Sequence, residues 1–224
     1  VAITAQQVIT RVRSQIIDPN GVRWTDEELL RWLSDGLRTV LSAKPSALST
    51  IAVVSLVAGT RQQLPADGYM LLGIVRNMGS NGATPGRAVR VVSREALDAY
   101  KPDWHAATSA AVVQNFIFDP ETFNSFYVYP PNDGTGKVEA VYARSVTELV
   151  ALTSTLPILD NYLTALTDYV LFRSHQKDGD YAGGQGVAQT YLNAFAQFVG
   201  VAGAAETASN VNRGLRPGDK DAAA

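Results

Sequence analysis

Site chemistry needs a nucleophile, an acid–base pair, a metal ligand set or a phosphate cradle, and this chain of 224 residues is poor in all four. It has no cysteine, which removes thiolate nucleophiles, thiolate metal sites and disulfides. Its two histidines, His105 and His175, are far apart, and neither stands in a metal-binding spacing. His105 follows Trp104 in a loop after a short helix, and His175 falls near a helix C-terminus, where an imidazolium suits the dipole; both read as structural. Gly183-Gly184-Gln185-Gly186 is glycine-rich near a helix start, but no strand precedes it and no Gly-Lys-Ser/Thr ending follows, as a phosphate loop requires. The better expectation is close approach of another helix or subunit at Gly183 and Gly184, since such glycines otherwise cost about 1 kcal/mol each in a helix. Asp133, Asp178 and Asp180 sit in turns without the terminal Glu of a calcium loop. There is no G-x-S-x-G. No catalytic residue, cofactor or metal is therefore assigned.

The elements around these residues are easier to read. Thr4 can cap a helix from there to about Asp18, carrying Val8, Ile9, Val12 and Ile16, and Asp18-Pro19-Asn20-Gly21 stops it. Thr25-Asp26-Glu27-Glu28 is a capping box, with Glu28 placed to reach back to Thr25. Leu29, Leu30, Leu33, Leu37, Val40 and Leu41 then make a broad apolar face that ends at Pro45. The middle reads as strands: Ile51–Val57, Arg61–Leu64, Leu71–Val75 and Ala88–Val92, then a short helix Ser93–Lys101. A β-meander of Phe116–Phe118, Phe123–Tyr129 and Val138–Tyr142 follows. After Pro157 the helical period returns over residues 158–176, and Tyr181–Val199 is the last helix.

Residues 203–224 differ again. Val211 and Leu215 are their only large apolar residues, too few to offset the ordering entropy of the backbone, about 1–2 kcal/mol per residue. Such a tail is expected to run along a partner chain, with Leu215 as an apolar anchor between Arg213 and Arg216. The formal net charge is −2, which speaks against an affinity founded on gripping DNA phosphates. No apolar run approaches the roughly 20 residues of a membrane span. Val1-Ala2-Ile3-Thr4 leads into a helical pattern rather than a signal peptide, so a soluble chain used without export is expected.

Two stretches carry a resemblance. Arg23 through Gly36, beginning Arg23-Trp24-Thr25-Asp26-Glu27-Glu28 and continuing through Trp32, is followed by Lys44-Pro45. Leu163 through Tyr191 contains Ala165-Leu166, Tyr169-Val170-Leu171, Arg173, Lys177-Asp178 and Tyr181-Ala182-Gly183. Together they resemble the head-to-tail adaptor proteins, also called connector or tail tubular proteins, of short-tailed phages. The quoted residues are of the helix-capping and helix-packing kind, Trp24 and Trp32 among them. The glycine-rich start of the last helix departs from the usual Ala/Asn-rich form.

The resemblance implies a non-enzymatic virion protein, assembled in the host bacterial cytoplasm and placed at the head–tail junction. It implies a homo-oligomeric ring of twelve copies between the portal protein and a tail nozzle or tube protein, with tail fibres as a further partner. Genomic DNA would pass through that ring without tight binding, and no membrane is involved. The expected fold is α+β: a four-helix bundle from the N- and C-terminal helices, an inserted antiparallel β lobe, and an extended C-terminal tail. The expected divisions are 1–48, 49–156, 157–202 and 203–224. The alternatives are a head-completion or tail-terminator ring of a long-tailed phage, and a small enzyme with a scattered site.

Overall fold

The computed structural model describes residues 2–118, 122–178 and 184–209. In chain order they form β1 (Ala2–Thr4), α1 (Ala5–Ile16), α2 (Asp26–Ala43), β2 (Ser49–Ser55), β3 (Gly59–Gln63), β4 (Gly68–Met78), β5 (Pro85–Ala88), β6 (Arg90–Val91) and α3 (Arg94–Tyr100). Then come β7 (Asn115–Phe118), β8 (Ser125–Asn132), β9 (Lys137–Arg144), β10 (Thr155–Leu159), α4 (Leu163–Lys177) and α5 (Gly184–Ser209). Two compact units emerge, one from the chain up to Leu48 together with that from Val146 onward, the other from Ser49–Ser145. The fold is α+β.

In the helical unit, α1 starts as its sequence dictates. The Thr4 N–H donates to Gln7 Oε1 at 2.9 Å, one arm of a capping box. The free N–H groups of Ala5 and Gln6 reach the carbonyls of Ser154 and Leu152 at 2.9 and 2.8 Å. Ala5, Val8, Ile9 and Val12 form its buried stripe. Thr25 caps α2 by accepting from the Glu28 N–H at 3.3 Å. All six of the expected α2 face residues are buried. α4 is buried on several sides, through Ala165, Leu166, Tyr169, Val170 and Leu171 and also Thr167 and Ser174, and it packs on α1, α2 and α5. Gly36 lets it approach α2, because a Cβ there would lie 2.9 Å from the Tyr169 ring. Tyr162 and Tyr169 meet Phe198 and Phe195 of α5 edge-on, with centroids 5.4 and 5.1 Å apart.

The β unit holds two four-stranded sheets, ordered β2-β9-β4-β5 and β3-β8-β7-β6. They share one apolar core that includes Val54, Leu71, Ile74, Phe116, Phe126, Val128, Val138 and Tyr142. Its buried amides are occupied. Asn77 exchanges hydrogen bonds with the backbone of Val113 at 2.7 and 2.9 Å and donates to the Arg87 carbonyl. A smaller cluster of Leu97, Trp104 and Ile117 seats α3, with the Trp104 indole N–H donating to Asp98 at 2.7 Å.

Several expectations are corrected. The meander does not exist: β7 and β8 pair, but β9 crosses to the other sheet between β2 and β4. The Asn132 side chain diverts it, donating to the carbonyls of Ala110 and Ala111 and accepting from the N–H groups of Gly134 and Gly136. The lobe is not wholly antiparallel either, since β6 runs parallel to β7. Residues 158–162 are not α-helical. Pro157 lies in β10, which pairs with β1, and a 3-10 turn over Asp160–Tyr162 precedes α4. The last helix does not stop at Val199. α5 reaches Ser209, so residues 203–209 of the expected extended tail are helical.

Candidate interaction surfaces

The residues that carried the resemblance meet in space. Lys177, at the end of α4, pairs with Glu28 of α2, and its ammonium also stands 5.0 Å from the centre of the Trp24 ring. Its neighbour Asp178 pairs with Arg23, whose guanidinium lies 5.5 Å from the same ring. Trp24 packs edge-on against Trp32 at 5.4 Å, and both indoles are buried. One end of α4 is thus fastened to the entry of α2 by two crossed ion pairs around an indole. About two helical turns further in, Gly36 receives Tyr169. The capping-box expectation changes accordingly, because Glu28 turns its carboxylate to Lys177.

Beneath Trp24 lies a second knot. Asp18 accepts from the N–H groups of Val22, Arg23 and Trp24 at 2.8, 3.1 and 3.0 Å. Arg13 donates to the Asp18 carbonyl at 3.0 Å and the Trp24 carbonyl at 3.1 Å, and pairs with Asp26. The Trp24 N–H, with those of Val22 and Arg23 and the Arg13 charge, holds the Asp18 carboxyl below the usual carboxylate range, against the opposing effect of burial. The turn so fixed exposes Ile17 and Val22, each 87% accessible. Ile17 has φ 55°, a left-handed conformation that a β-branched residue rarely takes.

The other nominated residues fall as follows. His105 stacks on Trp104 with centroids 3.6 Å apart and shares a 2.8 Å hydrogen bond with Thr60, and His175 stacks on Tyr191 at 5.7 Å. Asp133 serves its own turn, bonding the side chain and N–H of Thr135, which lower its pKa. Gly184 is buried at the start of α5, and a Cβ there would stand 3.4 and 3.5 Å from the carbonyl oxygens of Asp178 and His175, an ordinary contact. Gly183, Asp180, Arg213, Leu215 and Arg216 lie outside the described residues. Among the described residues, no group of His, Asp and Glu could hold a metal ion, and no helix is long and apolar enough to cross a membrane.

Sequence reasoning passed over Asp168. It stands half-buried on α4 with no hydrogen bond or ion pair among the described residues, and burial raises its pKa. An acid inside an apolar helical period (Leu166, Val170 and Leu171 around it) was the available signal. It also passed over the outer face of the β2-β9-β4 sheet, where Ile51, Val53, Leu72 and Val75 remain exposed.

A family model described as SU10 adaptor protein matches residues 3–218, nearly the whole chain. The chain belongs to this family of phage adaptor proteins, a structural family rather than an enzyme family. No curated protein matches it.

Proposed function

We propose, from membership of the phage adaptor family, that the chain forms a ring of twelve copies between the portal and the tail nozzle or tube, around the DNA channel. The family match over residues 3–218 carries this proposal. Two features of the chain support it. The helical unit is built from the two stretches that resemble head-to-tail adaptors, and they lock to each other through Lys177, Glu28, Asp178 and Arg23. The net charge of −2 suits a wall that DNA must slide past rather than grip.

In this proposal the four long helices act as a bundle that makes the ring contacts, with Trp24, Trp32, Gly183 and Gly184 at its packed joints. The β unit faces a tail component. The segment after α5 lies along the portal, with Leu215 in an apolar pocket and Arg213 and Arg216 on acidic groups. Assembly takes place in the bacterial cytoplasm and the finished ring sits at the head–tail junction.

Imaging of the purified protein with and without portal is the test. Rings seated on the portal are the expected result. Protein that stays monomeric beside portal rings would end the proposal.

A further inference from the structure

Sheet edges are normally guarded by charge, proline, a bulge or brevity, because their free N–H and C=O groups accept any passing strand. In the β unit, β5 carries Pro85 and Arg87, β3 carries Arg61 and a register shift, and β6 has two residues. β2 has none of these guards. It is seven residues long, Ser-Thr-Ile-Ala-Val-Val-Ser, with no charge, no proline and no glycine. It pairs with β9 without a register shift from Ser49 to Ser55 and ends its sheet. Among the described residues, nothing hydrogen-bonds to its far side. Ile51 and Val53 stand exposed along it, 65% and 43% accessible.

The order of residues in β2 says what fits there. Turned antiparallel about Ala52, the strand matches itself: Ser49 falls opposite Ser55, Thr50 opposite Val54, Ile51 opposite Val53, and Ala52 opposite Ala52. The faces match too, since Ile51 and Val53 point outward and Ala52 and Val54 pack toward the shared core. β-branched residues then meet β-branched residues on both faces, side chains that suit a pleated surface. No like charges meet. We infer that β2 is a docking edge for the β2 strand of a second copy of this chain, the two joined antiparallel about Ala52.

The size of the contact sets its role. A seven-residue strand spans about 23 Å at the usual rise, and a sheet edge is about 10 Å thick, so the ladder covers a few hundred square ångströms per copy. Even doubled for the two copies, that is below the roughly 1,200 Å² total of a stable interface, so the dimer is weak and forms at high concentration. A two-fold contact of this kind cannot belong to a cyclic head-to-tail ring. It therefore belongs to the free protein, where it closes two sticky edges at once and opens before any ring assembles. It rests on β2 alone and stands whether or not the ring does.

A chain without cysteine allows a direct test by single thiols. Opposed residues in an antiparallel pair lie about 4.5–5.5 Å apart between Cα atoms, within disulfide reach. Ala52→Cys should form a disulfide dimer under mild oxidation. Ser55→Cys should not cross-link to itself, because its copy would lie about 20 Å away. Ser49→Cys mixed with Ser55→Cys should give the mixed dimer. Adding Val53→Lys, at an exposed position that leaves the melting curve unchanged, should slow Ala52→Cys cross-linking at least about tenfold. Equal rates for Ala52→Cys and Ser55→Cys would overturn the inference. So would an Ala52→Cys protein that stays monomeric although its thiol reacts with maleimide, or cross-linking that Val53→Lys leaves undiminished.

Discussion

Asp18 and Asp168 respond to acid in opposite senses. The folded pKa of Asp18 is depressed, first by the Trp24 N–H, so its contribution is present above the unfolded value of about 3.9 and is lost as pH falls through the folded value. The folded pKa of Asp168 is raised by burial, so its protonated form favours the fold below the unfolded value, and that benefit is lost as pH rises through the folded value. Asp168→Asn should therefore raise the melting temperature at about pH 7 and leave it nearly unchanged at about pH 3. Asp18→Asn should lower it at neutral pH and flatten the acid limb of the stability curve. Thermal melts across pH read both. At Ile17 the left-handed backbone costs a β-branched residue about 1 kcal/mol, so Ile17→Asn should stabilise the protein by that order in urea titration. The roles of Asp18 and Ile17 were not visible from neighbours in sequence. Asp18 looked like one member of a turn motif, and only the structure shows three N–H groups converging on it.

Elements were readable where their signals are local. Thr25 and the leucine face announce α2 within one short stretch, and the structure keeps both the cap and the face. β1 went unseen because a three-residue strand exists only through its partner β10, more than a hundred residues away in the chain. β9 was found as a strand but given β8 as its partner, because Asn132-Asp133-Gly134 has hairpin chemistry, while the Asn132 amide binds Ala110 and Ala111 instead. The end of α5 was read as tail because alanine and glycine carry little apolar signal. Alanine is nevertheless the best helix former, and Lys44 of the helical unit donates to the Ala202 carbonyl at 3.0 Å. The α2–α4 contact gives a prediction at this scale. Gly36→Ala places a methyl 2.9 Å from the Tyr169 ring, and overpacking of that kind should cost about 1–3 kcal/mol in denaturant unfolding.

At the scale of the whole molecule, the family could be recognised from motif residues although their pairing could not. Lys177 and Glu28 are 149 positions apart, and nothing in either stretch names the other. The boundary of the terminal segment also moves, from residue 203 to the end of α5 at Ser209. Deleting residues 210–224, rather than 203–224, should leave the helical unit folded while abolishing co-sedimentation with portal. Retained co-sedimentation would remove that segment from the proposed interface. The insertion of the β unit between α2 and α4 also bears on synthesis. α1 and α2 leave the ribosome first, yet α4, against which both pack, follows only after about 120 further residues, roughly 6–24 seconds of translation at about 5–20 residues per second. In that interval the β unit is complete and free to fold, while the leucine face of α2 waits uncovered. Until α4 emerges, the nascent chain carries apolar helix surface of the kind that makes folding intermediates prone to aggregate.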